Sequence, residues 1–149
     1  MEIKKLIGET SEYDKKEQLE ERKPKSWCKS ISAFANGKGG FLIFGVDDQD
    51  NLIGLVDAKK DSEKISEIIK THLDPIPDFD IAFESEEEKT FLVVKVKAGN
   101  MKPYYYKKDG QLIAYIRVGN ESVPADAVRL KELALEGSGP TYDSLKPTT

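Results

Sequence analysis

Apolar side chains recur along this chain with two alternating periods, and the changes of period divide it into elements. Trp27, Ile31, Phe34 and Ala35 follow one another at helical steps and form one apolar stripe. Pro24, whose fixed φ suits a first helical turn, marks the start of that helix. Asn36-Gly37 supplies a residue that can turn left-handed and end it. Gly39-Gly40 then lead into FLIFGV, a short apolar run of the kind found in buried strands. A turn over residues 47–51 precedes LIGLV, which reads as a hairpin partner for that strand. The segment DSEKISEIIKTHLDPIP predicts a second helix, capped by Asp61 or Ser62. Its inner face carries Ile65, Ile68, Ile69, His72 and Leu73, and Pro75 and Pro77 stop it. Strands are expected over residues 80–84 and 90–97, joined by the acidic turn SEEEK, and over 112–118 after a Lys-Asp-Gly turn. A last helix is expected over 124–135, and residues 1–23 form a polar lead-in with a short strand.

This order predicts an α+β (mixed α/β) fold: a single compact domain with a mixed or antiparallel sheet flanked by about three helices. The domain is expected over residues 1–136. From 137 to 149 the sequence GSGPTYDSLKPTT is rich in Gly, Pro, Ser and Thr, and reads as a linker or disordered tail leading into the rest of a larger protein.

Composition narrows the class. Apolar residues make up 38% and charged residues 34% of 149, as in a well-solvated globular domain. No apolar run approaches the roughly 20 residues that span a bilayer, and MEIKKLIGET lacks the pattern of a secretory signal. The lone Cys28 forms no internal disulfide and, with no histidine near it in sequence, no catalytic dyad. The expected location is the cytoplasm, with no membrane partner.

Net charge changes the picture more than composition does. At −4 it speaks against a domain that coats nucleic acid indiscriminately. The charges are unevenly placed, however. Lys16, Arg22, Lys23, Lys25 and Lys29 surround the start of the first helix, while Lys102, Tyr104, Tyr105, Tyr106, Lys107 and Lys108 form a second cluster, followed by Arg117. Cationic side chains neutralise phosphates and tyrosine rings stack on unpaired bases, so this interleaving points to nucleic acid, DNA or RNA. In a strand, Tyr104 and Tyr106 share one face and Tyr105 takes the other, and one of those faces can equally serve the core.

The glycines of ANGKGGFLIFGV invite a phosphate-loop reading, but the order is helix, glycines, strand, the reverse of a nucleotide fold. No GxxxxGK[ST] occurs, so ATP is not expected to bind through a P-loop, and no cofactor is expected. Gly37, Gly39 and Gly40 read as a helix end and a tight turn. His72, near a helix C-terminus on the apolar side, reads as structural.

GETSEYDKK, a spacer, ISAFANGKGGFLIFGVDD, LIG, PYYY and AYIRVGNESVPAD appear in an order that resembles the Schlafen-type AlbA domain, over roughly residues 6–136. The resemblance implies a mixed α/β nucleic-acid-binding module of transcriptional regulators, a domain type that often pairs as a homodimer. It also implies an alternative. Related metal-dependent ribonucleases use three carboxylates, which fall here on Glu9, on Asp14 (with Glu12 a near competitor), and on Asp47 or Asp48. Such a set would hold Mg²⁺ or Mn²⁺ and activate water. Asp47 and Asp48 can instead serve the turn. A third reading is a protein-interaction or oligomerisation domain, which would present an exposed apolar patch.

Overall fold

The computed structural model describes residues 3, 5 and 12–145, with side chains as far as 137. The described residues contain eight strands: β1 (Tyr13–Lys16), β2 (Gly40–Phe44), β3 (Leu73–Asp74), β4 (Phe79–Glu86), β5 (Lys89–Val96), β6 (Tyr105–Lys108), β7 (Gln111–Val118) and β8 (Glu121–Pro124). Three helices of defined extent are interspersed among the described residues: α1 (Lys25–Asn36), α2 (Ala58–His72) and α3 (Ala127–Leu145). The expected α+β class holds, with two four-stranded sheets where the sequence suggested one. The first runs β1-β2-β5-β4 and is mixed, because β1 lies parallel to β2; the second runs β3-β6-β7-β8 and is antiparallel.

Helix α1 lies between the two sheets. The stripe Trp27, Ile31, Phe34 is fully buried, but so are Cys28, Ala33 and Ala35, together with the polar Ser30, Ser32 and Asn36. Trp27 meets Phe44 of β2 edge-on at 5.5 Å between ring centroids. Burying each such aromatic side chain stabilises the fold by roughly 1.5–3 kcal/mol. Toward the second sheet, α1 uses hydrogen bonds. Asn36 Nδ2 donates to the carbonyls of Tyr104 and Tyr115 (3.0 and 2.9 Å), and Asn36 Oδ1 accepts from Tyr104 N (2.7 Å). Ser32 Oγ donates to Tyr104 O at 2.7 Å and accepts from Tyr115 N at 3.1 Å.

Strands β2 and β5 are covered on both faces, so they read as unbroken apolar runs. Leu42, Phe44, Leu92 and Val94 face the helices, while Ile43, Phe91 and Val93 join Ile3, Val46 and Leu52 in a smaller cluster behind the sheet.

Four expectations are corrected in detail. LIGLV forms no strand; only Val46 and Leu52 bridge, and β2 pairs instead with polar β1 and with β5. Helix α2 starts a turn earlier than Asp61 or Ser62, where Asp57 Oδ1 accepts from Lys60 N at 3.1 Å. The left-handed residue after α1 is Gly39 (φ +84°) rather than Gly37, with Gly39 N donating to Phe34 O. A Cβ on Gly39 would sit 2.7 Å from Val96 O, so the bare backbone lets α1 turn directly onto β5. Lastly, the final helix begins at Ala127, where Asp126 Oδ1 accepts from Arg129 N, and its backbone continues past 137 to Leu145, into the stretch whose composition suggests a linker. No helix among the described residues is long and apolar enough to cross a membrane.

Candidate nucleic-acid interface

The entry to α1 is a tight turn. Lys23 N donates to Glu20 O, and Ser26 N to Lys23 O, which throws Arg22, Lys23 and Lys25 outward in quick succession. Opposite them stands the β6–β7 hairpin, closed by Asp109-Gly110 with positive φ at both residues (53° and 79°), the turn that matches strand twist. Between the two lies a cleft of about 550 Å³. Arg22, Lys23, Lys25 and Lys29 line one side of it and Lys108 the other. Tyr106, Ile113 and Pro24 supply apolar surface, and Asp109 is the one acidic residue at its border. Two basic segments far apart in sequence are thus brought to one opening.

Ion pairing separates the candidate cations. Arg22, Lys23, Lys25, Lys29 and Lys108 make no ion pair within 4.0 Å among the described residues, although Lys23 and Arg22 lie close enough to Glu20 and Glu21 to help hold those carboxyls below their ordinary values. Lys16, by contrast, pairs with Glu20 (3.3 Å) and Lys102 with Glu136 (3.0 Å). Lys107 borders a neighbouring groove of about 610 Å³ on the far side of the hairpin, with Thr71, His72 and Leu112.

Arg117 is buried, its side chain only 8% exposed. Its Nη1 donates to Ser122 Oγ and its Nη2 to Tyr13 O, both at 3.0 Å, and its guanidinium lies 5.1 Å from the centre of the Phe34 ring. It is a tie between the two sheets. Tyr104 and Tyr106 are each 3% exposed, so their rings present no open face to a base. Tyr106 stacks instead on His72, with centroids 5.8 Å apart, and His72 Nδ1 lies 3.2 Å from Ile68 O, the structural place expected for that histidine.

The carboxylates of the alternative reading divide as well. Glu9 lies outside the described residues. Asp14 Oδ2 accepts from Ser30 Oγ (2.5 Å), Asp14 Oδ1 accepts from Lys15 N, and Arg117 Nη1 stands 4.0 Å away, a cationic neighbour where a metal ligand set needs anionic ones. Asp47 caps its own turn, accepting from the N–H groups of Gln49 and Asn51, while Asp48 is exposed. Among the described residues no three His, Cys, Asp or Glu side chains converge as a metal site. Burial pushes the Cys28 thiol up, so it stays protonated and unreactive near neutral pH.

Sequence reading missed Ser26, Gln111 and Ile113 at the cleft. Ser26 was visible only as a small residue between lysines; it lies beside Glu20, whose carboxyl it holds below its ordinary value. Gln111 pairs in register with Lys108, a position that the hairpin turn alone could have revealed.

The model of the family described as Schlafen, AlbA_2 matches residues 9–126. Among solved structures, the DIP2311 protein of Corynebacterium diphtheriae is similar with a TM-score of 0.61 at 21% identity, over 85% of this chain and 24% of that one, a likeness of fold. This chain therefore spans about a quarter of that protein's length. The N-terminal domain of a RecG-related protein of Nitrosomonas europaea, named for an ATP-dependent DNA helicase, is similar with a TM-score of 0.56 at 26% identity, over 83% and 90% of the two chains.

Proposed function

The chain belongs to the Schlafen AlbA_2 family, and we propose that it is a nucleic-acid-binding module which seats a phosphate backbone in the cleft between the start of α1 and the β6–β7 hairpin. In this reading it serves a transcriptional regulator as its input domain. The observation that supports it is the pairing pattern: the five cations around one cleft make no close ion pair among the described residues, and Lys25, Lys29 and Lys108 lie clear of Glu20 and Glu21, whereas Lys16, Lys102 and Arg117 are engaged elsewhere. Unpaired cations gathered on one opening attract polyanions, and binding releases the counterions of the phosphates they neutralise. The likeness to a domain from a protein named for a DNA helicase favours DNA among the ligands.

The test is a fluorescence-anisotropy titration of labelled duplex DNA and single-stranded RNA at two or more salt concentrations. The wild type should bind with strong salt dependence. The triple variant Lys25→Gln, Lys29→Gln, Lys108→Gln should bind weakly, with the log K against log salt slope reduced by about 2–3, roughly one for each phosphate that no longer meets a lysine. Lys102→Gln, whose lysine is paired with Glu136, is the matched control and should bind nearly as the wild type. Equal losses in both would refute the assignment of the cleft. With Mn²⁺ present the strands should remain intact; cleavage that Asp14→Ala abolishes would turn the assignment to the ribonuclease.

A further inference from the structure

We propose that the inner end of this cleft is a phosphate subsite, in which the N-terminus of α1 and the Tyr106 hydroxyl hold one tetrahedral oxyanion while the lysines around it supply charge. The proposal rests on the nucleic-acid reading above and names the group that reading would place deepest. Helix α1 is 12 residues long, and no acidic residue occupies its first turn. Its N-cap is Pro24, which contributes no side-chain bond to the exposed end of the helix. Ser26, Trp27 and Cys28 give their N–H groups to Lys23 and Pro24 carbonyls, which leaves Lys25 N–H without a backbone acceptor. The Glu20 carboxylate beside Ser26 meets part of the positive end of the helix dipole, and the Lys25 N–H, on the cleft side, is the group left to receive an anion.

The second observation is independent of the helix. Tyr106 lines the same cleft from β6, it is 3% exposed, and its hydroxyl has no hydrogen-bond partner among the described residues. A buried hydroxyl left unpaired is costly and uncommon. Its position is fixed, because the ring is stacked on His72 and Tyr104, just before its strand, is held by hydrogen bonds from Asn36 and Ser32. Neighbouring Lys25 and Lys29 come from the same helix and Lys108 from the same strand as Tyr106. A neutral donor on the floor, a helix dipole at the wall and cations at the rim together suit a group with several oxygens and more than one negative charge. Phosphate fits that description better than a carboxylate.

The experiment is a titration of the ¹⁵N-labelled chain with inorganic phosphate and, at matched ionic strength, with acetate, run beside the oligonucleotide titration. Phosphate should shift the Lys25 and Ser26 amides saturably and acetate should not. Tyr106→Phe should weaken phosphate about two- to tenfold, the range of one net hydrogen bond, while thermal stability is unchanged or raised, since the hydroxyl has no internal partner to lose. Lys25→Gln, at an exposed position, should weaken it as well. The subsite is overturned by shifts that avoid the start of α1, by equal acetate binding, or by a Tyr106→Phe chain that binds phosphate as the wild type does. If oligonucleotides bind but phosphate shifts nothing there, the function stands and the subsite falls. If phosphate binds there and oligonucleotides do not, the subsite stands as a site for a small phosphorylated ligand and the backbone reading falls.

Discussion

Asp14 shows how one side chain can answer a functional motif and a structural need at once. Its carboxylate takes the Ser30 hydroxyl from α1 and faces Arg117 from β7, and Ser122 Oγ on β8 donates to Ser30 Oγ to complete the ring. Replacing it leaves a buried guanidinium short of its countercharge, so Asp14→Ala should cost about 1–3 kcal/mol in urea unfolding. A loss under about half a kcal/mol would mean that Ser122 and Tyr13 alone satisfy Arg117. Asp47 tests a different residue property. The Asn51 N–H foremost, then the Asn51 side chain and Gln49 N, hold its carboxyl below the ordinary 3.8. A depressed folded pKa gives stability that is complete above 3.8 and lost as pH falls through the folded value. Asp47→Asn should therefore be less stable than the wild type at neutral pH and converge with it as pH falls through the folded value, which flattens the acid limb of the stability–pH curve. In the sequence both aspartates stood among 27 acidic residues, and spacing could not reveal that one binds hydroxyl and guanidinium while the other binds its own turn.

At the scale of elements, the helical stripe of Trp27, Ile31 and Phe34 was legible because it obeys one period. The burial of the opposite face was not, since Ser30, Ser32 and Asn36 look like solvent-facing residues until a second sheet supplies their partners. Asn36 joins the approach to β6 with β7 through three bonds to backbone groups. Asn36→Ala would strand the Tyr115 carbonyl and the Tyr104 N–H in the interior, Tyr104 O keeping its bond from Ser32, and should cost about 2–4 kcal/mol by chemical denaturation. Asn36→Asp, which would set a buried carboxylate against the Tyr104 and Tyr115 carbonyls, should cost at least as much. A short strand was expected in the lead-in, but its place and its parallel pairing with β2 were hidden for a related reason: YDKK is half-buried at a sheet edge and carries no alternation to read, while LIGLV looks like a strand and is held instead by Gly45 O and Thr90 O.

On the scale of the whole molecule, a net charge of −4 coexists with a cleft rimmed by five cations that make no close ion pair among the described residues, because most acidic residues gather on other elements, notably the β4–β5 hairpin turn. The two basic segments could be read from the sequence; their convergence could not, since it depends on α1 lying between the sheets with its start turned toward β6 and β7. That placement has a consequence for how the chain breathes. Neither sheet can separate from the other without exposing Trp27 and Phe34, so the α1 amides should exchange with deuterium only on global opening and be the slowest in the chain. A ligand held at the start of that helix would then slow exchange in both sheets by the same factor, set by its concentration over its dissociation constant. The module would report binding as a single cooperative unit, with no loosened half for a neighbouring domain to sense.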